Sequence, residues 1–449
     1  MTLRTLAFAS IGCVALGALF TASCNVETVP PPEEGTAPTW YRDVQPIIQG
    51  RCAGCHREGD IGPYALTTYD EVSALRDVVL EAITARTMPP WSADPGVAYK
   101  YDPSLSDEQI DLVRRWVEAG APEGDPTDVG EQLPVIPTGL TRVDTTVGMV
   151  EAYVPEVAPD EYRCFVIDWP MTETVYVTGF VAKPGNTTID HHVAAYLVTP
   201  NNPLGDAAFE GLAQLDADDP RPGYECFGGP AGESDLQIPA MQIGQWVPGQ
   251  GGGDFPAGTG IKVPAGSKIV MQMHYNLPPG NAASDRTELQ LKFDSTVEKE
   301  AAFAPWLDIA WVAGGMPIPA FEPDVVHEKT GDPRPFFSAF VGETDVSQGF
   351  RIHSAMLHLH KLGTRAHVEI HRADGTKQPI LSISSYDFDW QRLYELEEPV
   401  DFYPGDQLSV RCHWANTPEQ REGEMPVDVN WGEGSGDEMC VANLYVSEP

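Results

Sequence analysis

Near residue 127 the apolar pattern changes period, and this limits the folds open to the chain more than its size does. Before that point apolar residues recur at helical spacing. Val72, Leu75, Val79 and Ile83 make one stripe, and Ile110, Val113, Trp116 and Val117 make another. Each stripe follows a capping box, Thr68 with Glu71 and Ser106 with Gln109, in which two side chains satisfy helix-start N–H groups reciprocally. Leu105 can staple onto Ile110, and Gly120 stops the second helix. A shorter amphipathic helix is expected over residues 40–49. Beyond 127, short runs rich in Val, Ile, Tyr and Phe alternate with Pro- and Gly-rich turns, as at 175–181, 193–198, 269–275, 368–371 and 407–413. The expectation is a multidomain chain: an all-α domain at 39–126, a linker at 127–139, then two all-β sandwiches at 140–298 and 299–449.

Within the helical part, Cys52-Ala53-Gly54-Cys55-His56 puts two thiols and an imidazole on one turn. Two thioether bonds from Cys52 and Cys55 would fix a haem c, with His56 on the iron. The segment resembles a class I-like cytochrome c, in which a downstream Met usually completes the iron's ligands. Met88, in the stiff run Arg86-Thr87-Met88-Pro89-Pro90-Trp91, is the expected sixth ligand, a pairing that suits electron transfer.

The N-terminus reads as a processing signal. Arg4 precedes an apolar stretch at 6–20, and Ala22-Ser23 lead into Cys24, as in a lipoprotein-type signal peptide over 1–24. Lipidation of Cys24, followed by a Pro-rich tether at 25–38, would make the chain exported and periplasmic or cell-surface, touching a membrane only through its anchor. Sixty-six acidic against 28 basic residues argue against nucleic acid or an anionic membrane surface as partner. Of the eight cysteines, Cys164, Cys226, Cys412 and Cys440 are left once the signal, Cys24 and the haem motif are set aside. An even remainder in an exported chain predicts two disulfides.

The histidines cluster away from the haem motif. His191-His192 opens an apolar strand, His274 ends Gln272-Met273-His274, and His358-Leu359-His360 puts two imidazoles on one face at period two. Imidazoles suit copper, iron or zinc, and a thioether added to them favours copper. The order His191-His192, Gln272-x-His274-Tyr275, His358-x-His360-x-Leu362-Gly363, Gly405-Asp406, Arg411-Cys412 and Asp437-Glu438-Met439-Cys440 resembles the copper type II ascorbate-dependent monooxygenases over residues 140–449. That resemblance implies two jelly-roll-like sandwiches and two coppers. One would be an electron-transfer copper on His191, His192 and His274, the other an oxygen-activating copper on His358, His360 and Met439. It also implies a Cys412–Cys440 disulfide, which leaves Cys164 to Cys226, and a place for Gln272 beside the first copper.

Relatives that hydroxylate peptides carry an Arg two residues before the His-x-His pair, where this chain has Met356, so a peptidylglycine substrate is not implied. His327, His353, His367, His371 and His413 match no ligand position and read as structural. The combined expectation is C–H hydroxylation of an unknown organic substrate by O2, with an external donor feeding electrons through the haem. A haem–copper electron-transfer or copper-binding protein without oxygenase activity fits the same residues. So does a surface haem sensor, against which Met88 weighs, or an enzyme whose cytochrome removes electrons.

Overall fold

The computed structural model describes residues 37–449 apart from 59–61, 138, 228, 233–237, 239, 248–251 and 278–282. The expected signal peptide, lipidation at Cys24 and nearly all of the tether lie outside the described residues.

Both capping boxes form, closing the starts of helices Tyr69–Ala74 and Asp107–Glu118. The stripe from Val72 to Ile83 breaks at Leu75 into two helices, the second being Arg76–Thr84. The first helix enters through a π-type turn, Trp40–Val44, and continues as Gln45–Arg51. Trp40, Val44, Ile48, Val72, Val113 and Trp116 bury themselves between these helices.

An independent all-α cytochrome c domain is nevertheless not what the chain makes, and that expectation is corrected. Residues 38–449 form one compact unit whose bulk is β-sheet, and the helices are few and short. The four helices of 6–12 residues share a small core, but the residues between the third and fourth of them bury their apolar side chains in the core of the β-structure. The segment after the third helix completes itself on the β-structure instead. Tyr99 bridges Leu396 as an extra edge residue, and its hydroxyl donates to the Ile380 carbonyl at 2.9 Å. Trp91 and Tyr99 pack with Tyr394, at ring separations of 4.8 and 5.5 Å. Lys100 pairs with Glu395 at 2.8 Å. Residues 130–134 run back along the first helix, where Arg51 donates to the Pro134 carbonyl at 2.9 Å.

The β-structure is three sheets. The largest runs Thr145–Gly148, Glu288–Asp294, Val175–Lys183, Thr259–Val263, Lys299–Trp306, Val441–Ser447, Phe350–His358, Tyr394–Phe402. Its two halves join through a short parallel contact, Lys299 and Glu300 beside Thr259 and Gly260. A five-stranded sheet (Tyr224–Glu225, Asp160–Asp168, Lys268–Asn276, Asp190–Val198, Met241–Trp246) covers one half. A four-stranded sheet (Val325–Gly331, Gln407–Trp414, Gly363–His371, Lys377–Ile383) covers the other. Strands expected at 175–181, 193–198, 269–275, 368–371 and 407–413 all form, longer by one to five residues. Disulfides Cys164–Cys226 and Cys412–Cys440 are both present. Among the described residues no helix is long and apolar enough to cross a membrane.

Candidate metal centres

In a regular strand two adjacent histidines point to opposite faces. Asp190–Val198 avoids this with a β-bulge. Asp190 lies opposite Tyr275 and His192 opposite His274, so His191 is the extra residue and can turn toward the same side as its neighbour. The three imidazoles thereby offer ligand atoms all within 4.8 Å of one another. His274 Nε2 donates to Asp160 Oδ1 at 2.9 Å, which leaves the lone pair on Nδ1, 3.2 Å from His192 Nδ1. His191 Nδ1 is buried and has no hydrogen-bond partner. Burial, then the neighbouring imidazoles, push His191 down to about 3 and His192 well below its ordinary value, so both are neutral near pH 7. An orphaned buried His191 nitrogen beside the hydrogen-bonded His192–His274 pair fits a soft or borderline cation, which would replace the shared proton.

Asp160 went unnoticed in the sequence. Burial would raise its carboxyl, yet hydrogen bonds from His274, Ser435 (2.7 Å) and Asn276 (2.9 Å) hold it below the usual carboxylate range. Tyr162, directly opposite His274 on the neighbouring strand, stacks on that imidazole at 4.1 Å. Gln272 turns away to the disulfide, its Nε2 donating to the Cys226 carbonyl at 3.0 Å.

In the second half, His358 ends the strand Phe350–His358 and His360 follows at period two, their rings 5.1 Å apart. His358 Nδ1 donates to the Gln391 amide oxygen, and His360 Nδ1 to the Asp437 carbonyl at 3.1 Å. Amide oxygens only accept, so both Nε2 atoms carry lone pairs. Burial lowers the basicity of both rings, His360 to about 3. Glu438, fully buried, accepts from His360 N (2.9 Å), Leu362 N (2.6 Å) and Trp414 Nε1 (2.8 Å). Asp437 and Glu438 thus both grip the His360 turn, and the buried Met439 follows them directly. The two histidine sets lie close together. Phe388 stacks on His191 at 4.9 Å and its ring is 6.0 Å from that of His360.

At the haem motif the chain turns tightly after Arg51, with His56 N donating to the Cys52 carbonyl at 3.0 Å. His56 Nδ1 donates to the Tyr64 carbonyl at 3.1 Å, which leaves the lone pair on Nε2. A Cβ on Gly62 would sit 2.7 Å from that Nδ1, so the covering loop needs glycine there. Cys52 and Cys55 belong to neither disulfide. Met88 is half-buried just beyond the helix Arg76–Thr84, its N–H on the Ala82 carbonyl at 3.4 Å. Four of the remaining histidines have structural partners: the Pro317 carbonyl for His327, Ser447 for His353, Glu369 for His371 and Asp324 for His413.

Residues 342–447 match the family model of the copper type II ascorbate-dependent monooxygenase C-terminal domain. Those residues include His358, His360 and Met439. A curated chicken (Gallus gallus) protein, DBH-like monooxygenase protein 1, is 24% identical over 326 residues, 70% of this chain and 48% of that protein. The chain therefore spans about half the length of that relative. The first match relates residues 342–447 to copper-dependent monooxygenases, and the second relates the chain to a protein named as monooxygenase-like. Solved structures of allantoicase (14% identity, 57% of this chain, 78% of that one) and of the infectious bursal disease virus VP2 subviral particle (10%, 69% and 75%) reach TM-scores of only 0.13 and 0.17. No shared fold is inferred from such values.

Proposed function

We propose that the chain hydroxylates a C–H bond of a small organic substrate with dioxygen. One oxygen atom enters the product and the other leaves as water, with two electrons and two protons supplied from outside. His191, His192 and His274 would hold one copper, and His358, His360 and Met439 a second, on sandwich halves at 140–298 and 299–449. Copper at these positions supplies one-electron transfer and oxygen activation. The chain's own residues aim the ligands: Asp160 sets the His274 tautomer, Gln391 and Asp437 set His358 and His360, and Glu438 holds the turn that carries His360.

The observation that carries this reading is the paired Nδ1 donation of His358 and His360, which leaves two Nε2 lone pairs beside a buried thioether loop. The motif Cys52-x-x-Cys55-His56, with Met88, supports a haem c that passes electrons from an external donor toward the His191 set. Export and lipidation at Cys24 belong to the same proposal. Anaerobic copper titration followed by oxygen-consumption assays with a substrate panel tests it. Two coppers per chain and substrate-dependent oxygen uptake, lost in His358→Ala and Met439→Ala, are expected. Copper binding with no oxygen-coupled product would replace this reading with an electron-transfer or copper-binding protein.

A further inference from the structure

A cleft of about 300 Å³ lies where the helical segment, the five-stranded side and the second half of the large sheet meet. Its walls are apolar and aromatic, with Trp91, Phe180, Phe255, Phe303 and Tyr445 among them. Four charged residues line it, and three are matched. Lys100 pairs with Glu395 at 2.8 Å, and Asp254 pairs with Lys292 outside the lining. Arg392 is the fourth. Its guanidinium lies 5.2 Å over Trp91, Nη1 reaches the Pro90 carbonyl at only 3.5 Å, and the buried Nε has no partner. Among the described residues no carboxylate ion-pairs with it. A desolvated guanidinium with an unused N–H is costly unless an acceptor arrives, and its planar fork matches a carboxylate.

One wall of the cleft is the strand that carries the second histidine set. Ser354 lines the cleft, and Met356 and His358 follow on the same face of that strand, about 7 and 14 Å further on at strand rise. Gln245, also in the lining, donates to Met356 Sδ at 2.6 Å. Arg392 itself is next in chain to Gln391, the acceptor for His358 Nδ1.

We infer that this cleft binds an organic acid with an aromatic or apolar body, its carboxylate on Arg392. The assignment rests on the proposed function only for calling that acid a substrate; the binding site stands without copper. A haem propionate on the nearby Cys52–His56 motif is the other source of a carboxylate, but the aromatic walls and the strand toward His358 favour the free acid.

The test is calorimetric titration of the full-length, copper-free chain with 3-phenylpropanoate and with its neutral isostere 3-phenylpropanamide. The acid is expected to bind at least tenfold tighter than the amide. Arg392→Met should remove that preference, leaving amide affinity within twofold as the check on folding. Equal affinity of acid and amide for the wild-type chain, or no binding of either, overturns the proposal without any variant. Arg392→Met shifting the haem midpoint potential with acid affinity unchanged assigns the guanidinium to a propionate, and overturns it too. Because no step needs oxygen or copper, failed hydroxylation and failed acid binding are separate results.

Discussion

Asp160 offers the sharpest handle on the first metal centre. Its Oδ1 accepts from His274 Nε2 and Asn276 Nδ2, both at 2.9 Å, and Oδ2 accepts from Ser435 at 2.7 Å. The carboxylate makes Nδ1 the lone-pair atom of His274 and places a negative charge behind the ring. In Asp160→Asn the amide oxygen can still accept from His274, so the tautomer survives but the charge behind it is lost. In Asp160→Ala nothing holds the tautomer. Partners of this kind are worth about 10–100-fold in metal affinity, or roughly 1.4–2.7 kcal/mol. We expect copper affinity to fall about tenfold in Asp160→Asn and closer to a hundredfold in Asp160→Ala. Ser435→Ala, which removes a donor but leaves the charge, should change it less than about twofold. Anaerobic Cu(I) competition against a chromogenic chelator reads these differences directly. Wild-type affinity in Asp160→Ala would refute the reasoning, because the His274 tautomer would then not depend on its carboxylate.

Other outcomes follow from the same geometry. Glu438→Gln turns one acceptor oxygen into a donor facing an N–H, so thermal or urea unfolding should show a loss of about 2–4 kcal/mol, from one charge-assisted hydrogen bond and one orphaned donor. Arg163, fully buried, ion-pairs with Asp219 at 2.8 Å, and its hydrogen bond holds that carboxyl down to about 2. A depressed folded value means this stabilisation is complete above about pH 4 and is lost as pH falls toward 2. Its size is about 2 kcal/mol, visible as a shallower acid-unfolding curve in Asp219→Asn. Removing Cys412–Cys440, whose cysteines are 28 residues apart, should cost about 3.5 kcal/mol in chemical denaturation. Exported chain bearing Cys52→Ala and Cys55→Ala should lose the pyridine haemochrome spectrum; an unchanged spectrum would remove the haem assignment.

What could be read in the residues was what is local. Both capping boxes involve groups three residues apart, and the strands announce themselves by composition between turns. The tandem histidines were legible as a pair but not as a bulge, because nothing in Asp190-His191-His192 says that Asp190 faces Tyr275 and His192 faces His274. Asp160 acts on a residue 114 positions away, and Gln391 on one 33 away, with no spacing rule to link them. The separate cytochrome domain failed for a similar reason. The helical stripes do cover one another, but Trp91 and Tyr99 lie in the irregular stretch between helices, where no periodicity says that their cover is Tyr394.

Phe388 and Gln391 share one short turn, in which Gln391 Nε2 donates to the Phe388 carbonyl at 3.0 Å. The first residue is the partition between the two histidine sets; the second is the peg that fixes His358. The peg is tied to the backbone carbonyl of Phe388, so a shift of this turn's backbone would displace the ring between the histidine sets and the acceptor of His358 together. The ring that separates the two histidine sets and the oxygen that fixes His358 thus depend on one four-residue stretch of backbone, Phe388 to Gln391.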